Sequence, residues 1–257
     1  PSAVYTQPDR KGGRGRRSIV SPVKERALDH GLPIIQPETL RDPNELARFK
    51  TLQPNILVVA AYGVILPLEY LELLTNGGLN IHPSLLPLHR GPSPITNTIL
   101  AGDTETGVSI FVMDKGMDTG PILRQNATSV HLHETAGALT DRLSLEAATM
   151  LVPTLVDWIN GNIELVPQDN NSASYSRLLK KSDGELNFRE PAINLKRKVD
   201  AFNPWPASFT TYKGKRITIL EAWLHDEKTP ELGPGEVLYS PSDNKVLLGT
   251  AEGVLDV

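Results

Sequence analysis

Three polar residues stand where apolar stretches of the chain run out. Gly78-Leu79-Asn80-Ile81 reads as the end of a buried strand, and Asn80 and His82, two residues apart, carry both side chains on one side of it. Pro83, Pro87 and Gly91 then stiffen the exit. Further on, Met113-Asp114-Lys115-Gly116-Met117-Asp118-Thr119-Gly120 follows a second apolar run, and its glycines turn the backbone sharply to present Asp118. An amide, an imidazole and a carboxylate together suffice to hold an oxyanion, move a proton and fix an imidazole tautomer, the carboxylate raising the imidazole pKa. Each also has a plain structural alternative: a histidine that packs at a strand end, and a turn aspartate in a Gly-rich loop. Ser84 is nearby but lacks the glycine pattern of a nucleophile elbow. A polar set without a nucleophile suits direct transfer, in which the attacking group belongs to the substrate.

The elements that must position these residues alternate strand and helix. Asn55 to Ala61 is continuous, β-branched and bounded by Pro54 and Gly63, the pattern of a strand buried on both faces. Leu79 to His82, Ser109 to Met113 and Ala3 to Thr6 are further strand candidates. Ser21-Pro22 and Gly31 bracket one helix as cap, first-turn proline and terminator. Pro43 to Thr51 and Ser93 to Ala101 are two more, and Thr135 to about Ile159 is the longest, with a kink or break expected at Pro153. This alternation predicts an α/β, Rossmann-like parallel sheet over residues 1–165. Val166 to Ser176 is polar and short of apolar anchors, so residues 166–184 read as a linker. Residues 185–257 show a helix near Ile193 to Ala201 and then strands at Phe209 to Tyr212, Arg216 to Trp223, Gly235 to Tyr239 and Lys245 to Leu248. Lys213-Gly214-Lys215 forms a hairpin turn, and the pattern predicts a small, OB-like β-barrel.

Composition excludes several classes. The chain has 257 residues, 39% of them hydrophobic and 22% charged, the profile of a globular protein. Its net charge of -4 makes no global demand for nucleic acid. With no cysteine there are no disulfides, thiolate metal sites or cysteine nucleophiles. His131 and His133 lack an evident third ligand, so no metal is expected and they read as strand-end histidines. No stretch is apolar enough to span a bilayer, and no signal peptide opens the chain. The chain starts without Met and stops on an apolar run, Gly253 to Val257, so it reads as the interior of a longer sequence.

Asn80-Ile81-His82, the Ser84-Leu85-Leu86-Pro87 run with Gly91, and Gly116 to Gly120 together resemble the formyltransferases that use 10-formyltetrahydrofolate. The resemblance implies that Asn80, His82 and Asp118 are catalytic. It also implies that Ser84, Leu85, Leu86 and Pro87, with Tyr62, Gly63, Ile65 and Leu66 of the Ala61 to Pro67 segment, line a folate site. The co-substrate is then 10-formyltetrahydrofolate, with no metal.

Acceptors in that fold family include a purine-pathway glycinamide, an amino sugar, water and the methionine of initiator tRNA. Arg10-Lys11-Gly12-Gly13-Arg14-Gly15-Arg16-Arg17 holds five basic residues and no acid. Alone it reads as a solvated loop, but its flanks, Gln7 to Arg10 and Ser21 to Lys24, resemble the loop that methionyl-tRNA formyltransferases insert at the acceptor stem. Phe202-Asn203-Pro204-Trp205-Pro206 and Tyr175 to Lys181 also resemble that family. The resemblance covers almost the whole chain. It implies methionyl initiator tRNA as partner, held by Arg10, Lys11, Arg14, Arg16 and Arg17, and a monomer in the bacterial cytoplasm or an organelle matrix. The alternatives are an amino-sugar formyltransferase and an inactive folate- or RNA-binding fragment. Pro83, Asn187-Phe188 and Asp200 depart from the family pattern; an arginine is expected in place of Asp200, with a contact to RNA weakened. The resemblance further implies that a first strand, helix and Gly-rich turn precede this chain, that the β domain continues beyond it, and that the chain alone is poorly stable.

Overall fold

A computed structural model describes residues 1–12, 17–225, 231–241 and 244–257, with side chains left out at residues 11, 12, 17 and 18. The chain divides into two compact units: residues 1–81 with 110–121, and residues 82–109 with 122–257.

The first unit contains β1 (Val4–Tyr5), β2 (Arg10–Gly12), β3 (Arg17–Ile19), α1 (Pro22–Asp29), β4 (Ile34–Ile35), α2 (Pro43–Thr51), β5 (Leu57–Ala60), the short α3 (Leu68–Leu71) and most of β6 (Gly78–His82). β1 pairs with β4 and β5 with β6, both in parallel. The helix signals act as their chemistry demands. Ser21 accepts from the Lys24 N–H and Asp42 from the Asn44 N–H, each just before a first-turn proline. Leu40, Phe49 and Tyr70 form the buried centre, and the rings of Phe49 and Tyr70 lie 4.9 Å apart. One expectation fails: β5 is not buried on both faces. Val58 is 36% exposed, because only alternate residues of this strand turn inward.

The second unit begins with α4 (Pro94–Ala101), whose C-terminus is closed by Gly102 at φ 76°. β7 (Glu105–Val112) starts in it and ends in the first unit, and β8 (Ile122–Ser129) follows in the second. The strands β5, β6, β7 and β8 are hydrogen-bonded in that order. α5 (Ala136–Ile159) runs unbroken past Pro153, where a kink or break was expected. The next residue, Thr154, is fully buried, and its hydroxyl bonds the Met150 carbonyl. His131 and His133 lie in the turn between β8 and α5 rather than at a strand end.

Beyond two 3-10 turns, Asn170–Ser172 and Lys181–Gly184, comes α6 (Ala192–Ala201). Then follow β9 (Ser208–Tyr212), β10 (Lys215–Ile219), β11 (Trp223–Leu224), β12 (Val237–Ser240), β13 (Lys245–Gly249) and β14 (Val254–Asp256). β9 and β10 form an antiparallel hairpin closed by Lys213 at φ 48° and Gly214 at φ 75°, the doubly left-handed turn that matches strand twist. β11, β14, β13 and β12 form an antiparallel sheet in that order. Leu195 and Val199 of α6 pack with Leu186, Ile219, Leu248 and Leu255 in one core. Asp200 faces inward, 8% exposed and paired with Lys196, so a substituent here changes the core rather than a surface for RNA. Among the described residues no helix is long and apolar enough to cross a membrane.

Arg142 ties α5 to the end of β8. It donates to both oxygens of Glu134, to Thr128 Oγ1 and to the Ser129 carbonyl. Burial pushes the Glu134 carboxyl up, but hydrogen bonds from Arg142 and the His131 N–H outweigh it and hold it below the usual range. A carboxyl depressed in the fold stabilises above its unfolded pKa of about 4.3, and this is lost as pH falls through the folded value. Glu134→Gln should therefore lower stability at pH 7 by roughly 1–3 kcal/mol, with the difference shrinking by pH 3; urea titrations at the two pH values read this directly.

Candidate active site

β6 ends with two polar residues on one side of the strand: Asn80 is half-buried and His82 is buried, while Leu79 on the other side is fully buried. In the first unit Asn80 meets the loop after β7. Its Nδ2 donates to Asp118 Oδ1 at 3.4 Å, across 38 residues of chain. The loop is self-supporting, because Asp114 Oδ1 accepts from the Gly116 N–H at 2.8 Å and from Thr119 Oγ1 at 2.7 Å. Asp118 itself takes the left-handed conformation, φ 55°, which aspartate tolerates better than most residues. The two glycines serve otherwise than expected: neither has positive φ. A Cβ on Gly116 would fall on Thr119 Oγ1, and one on Gly120 on the Val112 carbonyl oxygen. They permit close approach, and the sharp turn is made by the aspartate.

In the second unit His82 Nε2 lies 3.0 Å from the carbonyl oxygen of His89. A carbonyl only accepts, so Nε2 carries the proton and the lone pair of the neutral ring sits on Nδ1. The Ser84 to Pro87 run is pinned from below. Ser84 Oγ donates to the Leu88 carbonyl, the Leu86 N–H to Ser109 Oγ, and Gln125 Nε2 to the Leu86 carbonyl. Ser84 and Leu86 are buried, while Leu85 and Pro87 are half-buried. The first two build the loop's underside.

The other candidate folate residues lie in the first unit. Tyr62 accepts at its carbonyl from Gln7 Nε2, and Gly63 turns the chain at φ 71°. Leu66 packs on the Phe49 and Tyr70 cluster, whereas Ile65 is 82% exposed. Ile65 lines a cavity of about 460 Å³ with Leu40, Leu46, Pro67 and Tyr70, edged by Arg41, Asp42 and Glu69. Behind it, burial and the nearby Glu45 push the Tyr5 phenol up to about 12, and Tyr70 and Tyr62 shift the same way. All three phenols stay neutral at pH 7.

The two flanks of the basic run pair as antiparallel strands. Arg10 pairs with Ile19, Lys11 with Ser18 and Gly12 with Arg17 in β2 and β3. Arg14 and Arg16 lie outside the described residues, as do the side chains of Lys11 and Arg17. Arg10 donates to Gln7 Oε1, and Asp9 holds Lys24 and Gln36, so the root of this strand pair is braced on its own unit.

Sequence reasoning missed His89, Arg90 and the segment that holds them. Arg90 is 1% exposed, and its guanidinium donates to Gln168 Oε1, Asn170 Oδ1 and Tyr175 Oη. The Arg90 N–H reaches the Ser174 carbonyl, and the Ser176 N–H returns to the Arg90 carbonyl. The polar stretch expected to be a plain linker is thus laid along the loop that follows His82. Its signal was present as clustered Gln, Asn and Ser, but such residues also suit a solvated linker.

Known proteins can now be set beside this geometry. Residues 2–155 match the family model described as formyl transferase, and residues 178–257 match the one described as formyl transferase, C-terminal domain. The chain is similar to a methionyl-tRNA formyltransferase of Chloroflexus aggregans, 45% identical over 99% of this chain and 82% of that protein. It is 43% identical to one of Coxiella burnetii over 98% of this chain and 80% of that protein. Among solved structures, the fold resembles an N-formyltransferase from Helicobacter canadensis in complex with folinic acid and dTDP-3-aminofucose. The TM-score is 0.67 at 17% identity, over 98% of this chain and 86% of that one. HypX from Aquifex aeolicus with tetrahydrofolic acid gives 0.63 at 17% identity, over 90% and 40%.

Gly120→Ala should destabilise the loop that carries Asp118, because the rigid Val112 carbonyl leaves no room for a methyl group. The expected loss is roughly 1–3 kcal/mol, read as a fall in thermal midpoint of several degrees.

Proposed function

The chain belongs to the formyl transferase family and, within it, to the methionyl-tRNA formyltransferases; on that premise we propose how its own residues carry the reaction. The α-amine of methionine on initiator tRNA attacks the formyl carbon of 10-formyltetrahydrofolate. The new C–N bond forms, the bond from that carbon to the folate N10 breaks, and N10 takes up the proton that the amine gives up. The products are formylmethionyl-tRNA and tetrahydrofolate.

The observation that carries the assignment of roles is the pairing of Asn80 with Asp118 at the end of the strand that also bears His82. An amide nitrogen has two N–H groups. One is spent on Asp118, and the second is suited to the formyl oxygen as it becomes an oxyanion. Protonated His82 stabilises the same charge and, through Nδ1, hands a proton toward N10. Asp118 takes part in removing the amine proton, directly or through water. The half-buried Leu85 and Pro87 and the residues Tyr62, Gly63, Ile65 and Leu66 serve the folate, with Ser84 and Leu86 shaping the loop from beneath. Arg10, Lys11, Arg14, Arg16 and Arg17 neutralise phosphates near the acceptor end of the tRNA. The reaction belongs where charged initiator tRNA is found, the cytoplasm of a bacterium.

The test is formyl transfer to methionyl initiator tRNA, with a nucleotide-linked amino sugar offered in parallel. His82→Ala and Asp118→Asn should each lower kcat by roughly a hundred- to ten-thousandfold while KM changes little. Rates within a few-fold of the unsubstituted chain in both variants would sink the assignment, and transfer to the sugar instead of the tRNA would replace the acceptor. KM for tRNA should rise steeply with salt, and neutralising one arginine of the basic run should lower the slope of log KM against log salt by about one.

A further inference from the structure

His82 is held by a carbonyl that is itself held in an uncommon conformation. His89, whose oxygen meets His82 Nε2 at 3.0 Å, has φ 56°. A side chain with a Cβ rarely adopts this left-handed region and keeps it only where its surroundings over-determine it. Two contacts do so. The His89 N–H donates to Ser174 Oγ at 2.8 Å, and the ring Nε2 meets Asp103 Oδ2 at 2.6 Å. Around them the Ser174 N–H donates to the Pro87 carbonyl and the Arg90 N–H to the Ser174 carbonyl. The carbonyl of the preceding residue, Leu88, is occupied by Ser84 Oγ at 2.6 Å, which fixes the peptide plane before His89.

Ser174 lies between the two regions matched by family models, which end at 155 and resume at 178. Asp103 follows Gly102, the left-handed terminator of α4. Neither stands near His82 in the sequence.

We propose that Ser174 and Asp103 are positioning residues for His82. They lock the His89 backbone so that its carbonyl fixes the tautomer and ring plane of the catalytic imidazole. The segment joining the two matched regions is thereby part of the active-site scaffold. The proposal rests on His82 being catalytic, as set out above. The physical requirement is general: an imidazole serves as acid or base only with the working nitrogen aimed, and a hydrogen bond to the other nitrogen does the aiming.

The experiment uses the full chain and the variants Ser174→Ala, Ser174→Thr, Asp103→Asn and His82→Ala. Steady-state formyl transfer is measured beside the ¹⁵N spectrum of the His82 ring and the thermal midpoint. Ser174→Ala and Asp103→Asn should lower kcat roughly ten- to a hundredfold with KM for tRNA and folate within about twofold. The ring should pass from the Nε2–H tautomer to a mixture, and Ser174→Thr, which keeps the hydroxyl, should restore both readouts. A His82 tautomer unchanged in both Ser174→Ala and Asp103→Asn overturns the proposal whatever the rates. A mixed tautomer with unchanged kcat overturns the positioning role. Full activity in His82→Ala, with the tautomer shifted in the other variants, removes the catalytic reading of His82 instead. A loss of kcat accompanied by a collapse of the thermal midpoint in both alanine and threonine variants of Ser174 also counts against the proposal.

Discussion

The burial of the Arg90 guanidinium constrains the rest of its unit more than any other single interaction. The group cannot give up its proton, and it carries five N–H donors into a place from which water is excluded. Its acceptors are neutral: two amide oxygens and a phenol oxygen from residues 168, 170 and 175. Each acceptor comes from one stretch of chain, so that stretch must lie against Arg90 whenever the unit is folded. The backbone ladder between residues 87–90 and 174–176 follows from that requirement.

A rigid loop after His82 is the result. Prolines restrict it from within, Ser109 and Gln125 pin its underside, and residues 174–176 close its flank. Preorganisation of this kind matters most for a reaction with no covalent intermediate. Nothing then holds the reactants except the shape of the site and the aim of a few polar groups. The first unit applies the same logic on a smaller scale, where Asp114 shapes a turn so that Asp118 meets Asn80.

Much of the architecture was legible because it depends on local chemistry. Ser21, Asp42 and Thr135 cap helices where their side chains and the following residues say they should. Asn80 and Asp118 were singled out by residue type and spacing, and the structure joins them by a hydrogen bond. What escaped was non-local. β8, Ile122–Ser129, reads as ILRQNATS, too polar to announce a strand, and it forms because a neighbouring strand is there to pair with. β2 and β3 are short and, apart from Ile19, lack the β-branched and aromatic residues that mark a strand. Gln168, Asn170, Ser174 and Ser176 look the same in a solvated linker as in a hydrogen-bonded one. Only the position of Arg90, about eighty residues away, tells them apart.

The ladder between residues 87–90 and 174–176 has a consequence for how members of this family can be recombined. The matched regions suggest two modules with an interchangeable joint from 156 to 177. Physically the joint belongs to the first module. A hybrid that takes its second module from a relative must cross over after Ser176 to keep Gln168, Asn170 and Ser174 with the Arg90 and His89 they serve. A crossover just after α5 would import a foreign strip against the loop that follows His82. Modularity in this chain is therefore set by hydrogen-bond partnership, and its seam lies some twenty residues beyond the end of the first matched region.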